Sequence, residues 1–175
     1  MNKTQKNNRG FSLIEVLIAL LLISVGVLGM VAMQGKAITY TQDSVQRNAA
    51  AALANDLLEL MRAQPAGLPA ASDFYKAAGT GFASVSSADC VATPTSASAQ
   101  LACWADKVNK QLPVSESLLT NDFYICRTTV PGTCTTAGSA VEIQLAWQVR
   151  AGACMDSGDD ENTSTICYYR LRSEL

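Results

Sequence analysis

The chain has 175 residues, 49% of them hydrophobic and 16% charged, and a formal net charge of −2. That length suits one ordinary domain plus an anchor and is too short for two well-buried cores, while the near-neutral balance excludes the basic field that holds nucleic acid. There is no histidine, so Ser/His and Cys/His nucleophile systems are excluded; no phosphate loop or carboxylate pair stands out, and neither a catalytic role nor a resident cofactor is expected.

Residues 1–10 are polar and carry Lys3, Lys6 and Arg9 without an acid. Residues 11–33 are apolar except for Ser12, Glu15 and Ser24. A helix rising 1.5 Å per residue over that stretch spans the ~30 Å hydrocarbon core of a bilayer. Basic residues before the helix keep the N-terminus in the cytoplasm and place the chain beyond the helix outside, in the periplasm of a Gram-negative cell. No small-residue cleavage site closes the apolar run, as an ordinary secretory signal requires. The small residue is Gly10, in front of it. A cut between Gly10 and Phe11 removes the charged leader, keeps the helix and leaves a new α-amino group on Phe11.

Glu15 is the odd residue. A carboxylate in a lipid-facing helix costs roughly 2.5–3.5 kcal/mol at mid-bilayer, less near the interface. Three readings stay open on the chemistry. The Ser12-Leu13-Ile14-Glu15 spacing fits a capping box. The side chain can snorkel to the headgroups. Or it pairs with a positive charge at the same depth on a neighbouring chain, such as the amine of a processed Phe11.

The run Gly10-Phe11-Ser12-Leu13-Ile14-Glu15, continued by Val16-Leu17-Ile18-Ala19-Leu20, resembles the class III signal of type IV prepilins and type II secretion pseudopilins. The resemblance implies a prepilin peptidase that cuts after Gly10 and methylates Phe11, and a docking role for Glu15 in assembly. Residues 21–34, followed by the Ala-rich run 49–67, look like the PilV group of type IV pilus minor pilins; the match is close over residues 10–67 and rests beyond them on cysteines and a Trp. Two departures stand out. Gly26 and Gly29 occupy the apolar helix where major pilins carry a proline, and Leu112-Pro113 lacks the glycines that often follow it.

Past the membrane stretch, Ile38, Val45, Ala49, Ala52, Leu53, Leu57, Leu60 and Met61 recur at three and four residues, with Lys36, Asp43, Gln46, Arg47, Asn48 and Glu59 largely between them. The pattern predicts one helix of about fifty residues, half in lipid and half amphipathic, ended by Pro65 and Gly67. Residues 66–100, rich in Ala, Ser, Thr and Gly, read as a long, loosely ordered connection. A short helix is expected over 99–112, with Leu101, Ala105, Val108 and Leu112 on one face and Trp104 beside it. The alternation from Val141 to Arg150 is the clearest strand signal; 122–130 and 165–172 are further strands. Pro131-Gly132 marks a turn. Short connections predict an antiparallel meander whose apolar face takes the amphipathic helix, an α+β fold of the type IV pilin kind.

The division expected is a leader at 1–10, a transmembrane and filament-core helix at 11–34, its amphipathic half at 35–64 and a periplasmic head at 65–175. Six cysteines, none in a C-x-x-C pair, point to disulfides in an oxidising compartment. Fifteen pairings are open to them, and the nearest-neighbour set of Cys90–Cys103, Cys126–Cys134 and Cys154–Cys167 suits the layout best. Asp156, Asp159, Asp160 and Glu161 gather oxygen ligands around Gly158 as calcium sites do, against the plainer reading of a solvated acidic hairpin tip.

The resemblance implies a minor pilin, first held in the inner membrane and then in the pilus. Its partners would be the major pilin, other minor pilins, a tip adhesin and the prepilin peptidase. The alternatives are a minor pseudopilin of a type II secretion system and an anchored periplasmic protein that never polymerises; the latter leaves Glu15 and the leader unexplained.

Overall fold

The computed structural model describes residues 12–63, 72–86, 88–91, 94–154 and 164–174. The first helix, α1, runs from Leu13 to Arg62, fifty residues. The chain divides into two compact units, Met1–Thr39 and Tyr40–Leu175.

In the first unit every described helical residue up to Ile38 is exposed. The exposed set includes Leu13 at 79%, Leu28 at 69% and Met33 at 78%. Such a surface is unfavourable in water and is stable when lipid or other helices cover it. Ser24 returns its hydroxyl to the Leu20 carbonyl at 2.7 Å, which satisfies its polar atom within the helix.

In the second unit the rest of α1 joins two more helices, α2 (Ala97–Gln111) and α3 (Glu116–Asn121), and three strands, β1 (Tyr124–Thr128), β2 (Ala140–Gln148) and β3 (Ile166–Glu174). The strands form the antiparallel meander β1-β2-β3. Val141, Ile143, Leu145 and Trp147 project from one face of β2 into a core shared with Leu53, Leu57, Met61, Leu101, Trp104 and Val108. The α+β class is therefore that of a long helix with a small antiparallel sheet.

The buried stripe of α1 differs from the expected one. Leu53, Leu57 and Met61 are buried, but so are Ala50, Ala54 and Leu58, while Ile38 and Val45 are exposed. Asp43, expected on the polar side, is only 1% exposed. Arg47, one turn on, bonds its carboxylate at 2.8 Å and lies 5.8 Å from the centre of the Trp147 ring. An ion pair one turn apart, roofed by an aromatic face, makes such burial tolerable.

Helix α2 begins two residues earlier than expected because Ser96 caps it, its hydroxyl accepting from Ala99 N at 3.3 Å. Trp104 donates its indole N–H to the Leu53 carbonyl at 2.8 Å, tying α2 to α1. Helix α3 has no counterpart in the sequence pattern; six residues are too few for a period, and only its Ser115 cap and buried Leu118 mark it.

The stretch read as a loose connection is partly fixed. Phe74 is fully buried, and Lys76 exchanges two backbone hydrogen bonds of 2.9 Å with Ile125, acting as a one-residue fourth strand beside β1. Disulfides join Cys90 to Cys103, Cys126 to Cys134 and Cys154 to Cys167, with Cα atoms 5.5, 5.5 and 5.6 Å apart. At Gly138 a Cβ would sit 2.2 Å from the Thr128 carbonyl oxygen, so only glycine lets the chain pass β1 there.

Candidate assembly site

The chemistry expected at the N-terminus falls on α1. Residues Gly10 and Phe11 lie outside the described residues. Glu15 sits in the first turn and is exposed. That turn closes through the backbone of Ser12, whose carbonyl accepts from Glu15 N at 3.0 Å and Val16 N at 3.3 Å. Among the described residues the Glu15 carboxylate takes no hydrogen bond, so no side-chain capping box forms with Ser12. From Glu15 to Met33 the helix rises roughly 27 Å. One carboxylate thus stands near the end of an apolar cylinder about as long as a bilayer core is thick. Between Glu15 and Met33 the same helix carries no cation that could neutralise this charge in lipid or among packed helices.

Residues 5–31 match the prokaryotic N-terminal methylation motif, and residues 32–107 match the family described as Type IV pilin Tt1218. The two matches run without a gap over both helical halves and into α2. The chain belongs to the type IV pilins. No curated protein and no solved structure matches it. For this pilin the methylation motif implies processing by a prepilin peptidase, anchoring in a membrane through the apolar helix, and assembly with other pilins.

The pilin's second unit holds polar groups that sequence patterning did not single out. On β2, Glu142 and Gln144 alternate with the core residues, yet both are buried. Tyr124 donates to the Glu142 carboxylate at 2.5 Å, and Gly132 N donates to the same group at 2.9 and 3.1 Å. Burial, and then the neighbouring carboxylate, pushes the Tyr124 phenol up to about 12. Gln144 bridges the Asp122 carbonyl at 2.7 Å and the Arg170 guanidinium at 2.6 Å. These bonds let the second face of a central strand be polar and closed at once.

Lys76 is the other case, at 4% exposure. Its ammonium donates to the carbonyls of Phe123 at 2.8 Å, Thr120 at 3.0 Å and Ala77 at 3.3 Å, and lies 5.0 Å from the centre of the Phe82 ring. Burial lowers its pKa to about 8, partly opposed by Asp122. A lysine in an Ala/Ser/Gly-rich stretch carries no sequence signal for such a seat. Each of these groups holds one segment against another.

A cleft of about 480 Å³ lies beside α1 and α2, lined by Leu60, Trp104, Gln100 and the Asp56–Lys107 ion pair among others. The calcium-type residues Asp156, Asp159, Asp160 and Glu161 lie outside the described residues. Among the described residues no three His, Cys, Asp or Glu side chains cluster as a metal site would need.

Proposed function

We propose that this pilin is a minor subunit of a type IV pilus, working in a minor-pilin complex that primes assembly and carries an adhesin at the tip. It acts structurally rather than as a catalyst. In this reading residues 1–10 are a leader removed between Gly10 and Phe11, Phe11 is N-methylated, and residues 11–34 span the inner membrane before entering the filament core. The head from residue 65 onward faces the periplasm and later the outside.

The observation that carries the assembly role is Glu15, an exposed carboxylate with no partner among the described residues on an otherwise apolar helical surface. In the low dielectric between packed helices it neutralises the terminal amine of a neighbouring subunit, where an unpaired charge is costly. The minor-subunit role is supported by the Ala-rich run at 49–67, which falls inside the pilin-family match, and by the disulfide-clipped head.

Two measurements test it. The mass of the mature N-terminal peptide is expected to be that of a chain starting at methylated Phe11. Glu15→Ala is expected to leave cleavage intact and to remove the subunit from sheared pili. An uncut Met1, or pili that carry the variant at the normal level, overturns the reading; normal pili without the subunit but defective protein secretion point to the pseudopilin role instead.

A further inference from the structure

The two edges of the sheet differ. The outer edge of β1 is met by Lys76 through its pair of backbone bonds with Ile125. The outer edge of β3 is met by nothing among the described residues: β3 pairs with β2 alone, and the outward backbone groups of residues 167–172 take part in no hydrogen bond. The six residues 167–172 of open edge form a template for another strand, which proteins ordinarily shorten, bulge or cover.

The side chains on that edge define what fits it. Tyr168, Arg170 and Arg172 share one face and are exposed; Tyr169 and Leu171 share the other and pack against the core. The paired edge displays the complement. Across the β2–β3 register Arg172 faces Glu142, Arg170 faces Gln144, Leu171 faces Ile143 and Tyr169 faces Leu145. A strand added on the open side meets the same alternation and needs the same answer, acidic or polar opposite the arginines and apolar opposite Leu171 and Tyr169. A second copy of β3 does not supply it. Antiparallel pairing centred on Leu171 sets Arg170 against Arg172 twice, parallel in-register pairing sets each arginine against itself, and antiparallel pairing centred on Tyr169 sets the arginines against Tyr168 and Ile166. With Glu174 the one acid of β3, no such pairing answers both arginines with an acid.

We propose that the open edge of β3 receives an extended segment of a different partner protein by strand addition, the segment alternating acidic and apolar residues. This rests on the reading of the chain as one subunit among others. Main-chain bonds supply the affinity, and the remaining donors of Arg170 and Arg172, which also bond Gln144 and the Thr129 carbonyl, supply the choice of partner.

The test uses the full chain in mild detergent and a labelled nine-residue peptide alternating Val and Glu, followed by fluorescence anisotropy. Saturable binding is expected, at least tenfold weaker for the peptide with Lys in place of Glu. Arg170→Gln with Arg172→Gln is expected to weaken the Glu peptide about tenfold and to close the gap between the two peptides. A peptide N-methylated along one edge is expected not to bind. Hydrogen exchange is expected to slow at amides within 167–173 and not on β1. No binding at millimolar peptide, equal binding of the Glu and Lys peptides, or undiminished binding of the N-methylated peptide overturns the proposal. Incorporation into pili is scored separately: a chain that binds the peptide but never enters a filament sinks the subunit reading and leaves the edge site standing.

Discussion

Replacing Lys76 with methionine keeps the apolar stem and deletes the buried ammonium. Three carbonyls lose a donor, unequally. Thr120 O still accepts from Gly79 N at 2.8 Å and Ala77 O from the Thr80 hydroxyl at 2.7 Å, which leaves Phe123 O unserved among the described residues. An unserved buried carbonyl costs about 1–3 kcal/mol. Against that stands the cost of burying the charge. Below pH 8 both folded and unfolded chains hold the Lys76 proton; between about 8 and 10.5 the unfolded chain holds it and the folded chain has released it. Unfolding then takes up a proton, so stability rises with pH through that window and is fully gained above it. A fall from 10.5 to about 8 corresponds to at most roughly 3 kcal/mol, less whatever solvent screening removes. Lys76→Met is therefore expected to be near neutral or slightly stabilising at pH 7, and about 1–3 kcal/mol destabilising at pH 10.5. Tyr75, Tyr124 and Tyr168, raised by burial, act in the opposite sense above pH 10, but equally in both proteins, so they cancel in the difference. Denaturant titration of oxidised full chain in mild detergent, read from the buried Trp104 and Trp147, measures that difference at each pH. A difference that stays constant from pH 7 to 10.5 would show that the carbonyl cage, and not desolvation, governs this lysine.

Tyr124→Phe removes one of two donors from the buried Glu142 carboxylate and is expected to cost about 1–3 kcal/mol, measured the same way. In the wild type one phenol is expected to ionise only near pH 12, and the stability tied to it, full below pH 10, is lost as pH rises through that value; ultraviolet titration reads this directly. Mild reductant followed by alkylation and mass mapping is expected to open Cys126–Cys134 first, because Cys134 is exposed, and Cys154–Cys167 last, because both of its cysteines are buried. Cys154→Ser with Cys167→Ser, opening a loop of 13 residues, is expected to cost up to about 3 kcal/mol in the chain-entropy picture, seen as a lower melting temperature. Gly138→Ala drives a methyl into the Thr128 carbonyl and is expected to destabilise by ~1–3 kcal/mol or more, with loss of β1–β2 amide protection in hydrogen exchange.

The long helix, the Leu53-Leu57-Met61 spine and the β2 strand were legible in the sequence because their signals are local. A 3.6-residue period or a two-residue alternation states which side of an element is apolar, whatever that side meets later. The same patterns misplaced Asp43 and gave no notice of Glu142 or Lys76. Their burial depends on groups far along the chain: an arginine roofed by Trp147, a turn at Gly132, carbonyls at 120 and 123. Helix α3 escaped because six residues hold less than two turns and are marked by a single cap.

At the N-terminus sequence alone was nearly sufficient. Hydrophobic length, flanking charge and a lone glutamate are properties of a stretch whose partners are lipid and other subunits, so no tertiary contact within the chain is needed to define them. In the head the order reverses. Composition and periodicity determined that there would be an α+β unit, while only the tertiary structure decided which polar residues are enclosed and which sheet edge stays open. Both depend on where distant backbone groups arrive, and no local pattern encodes that.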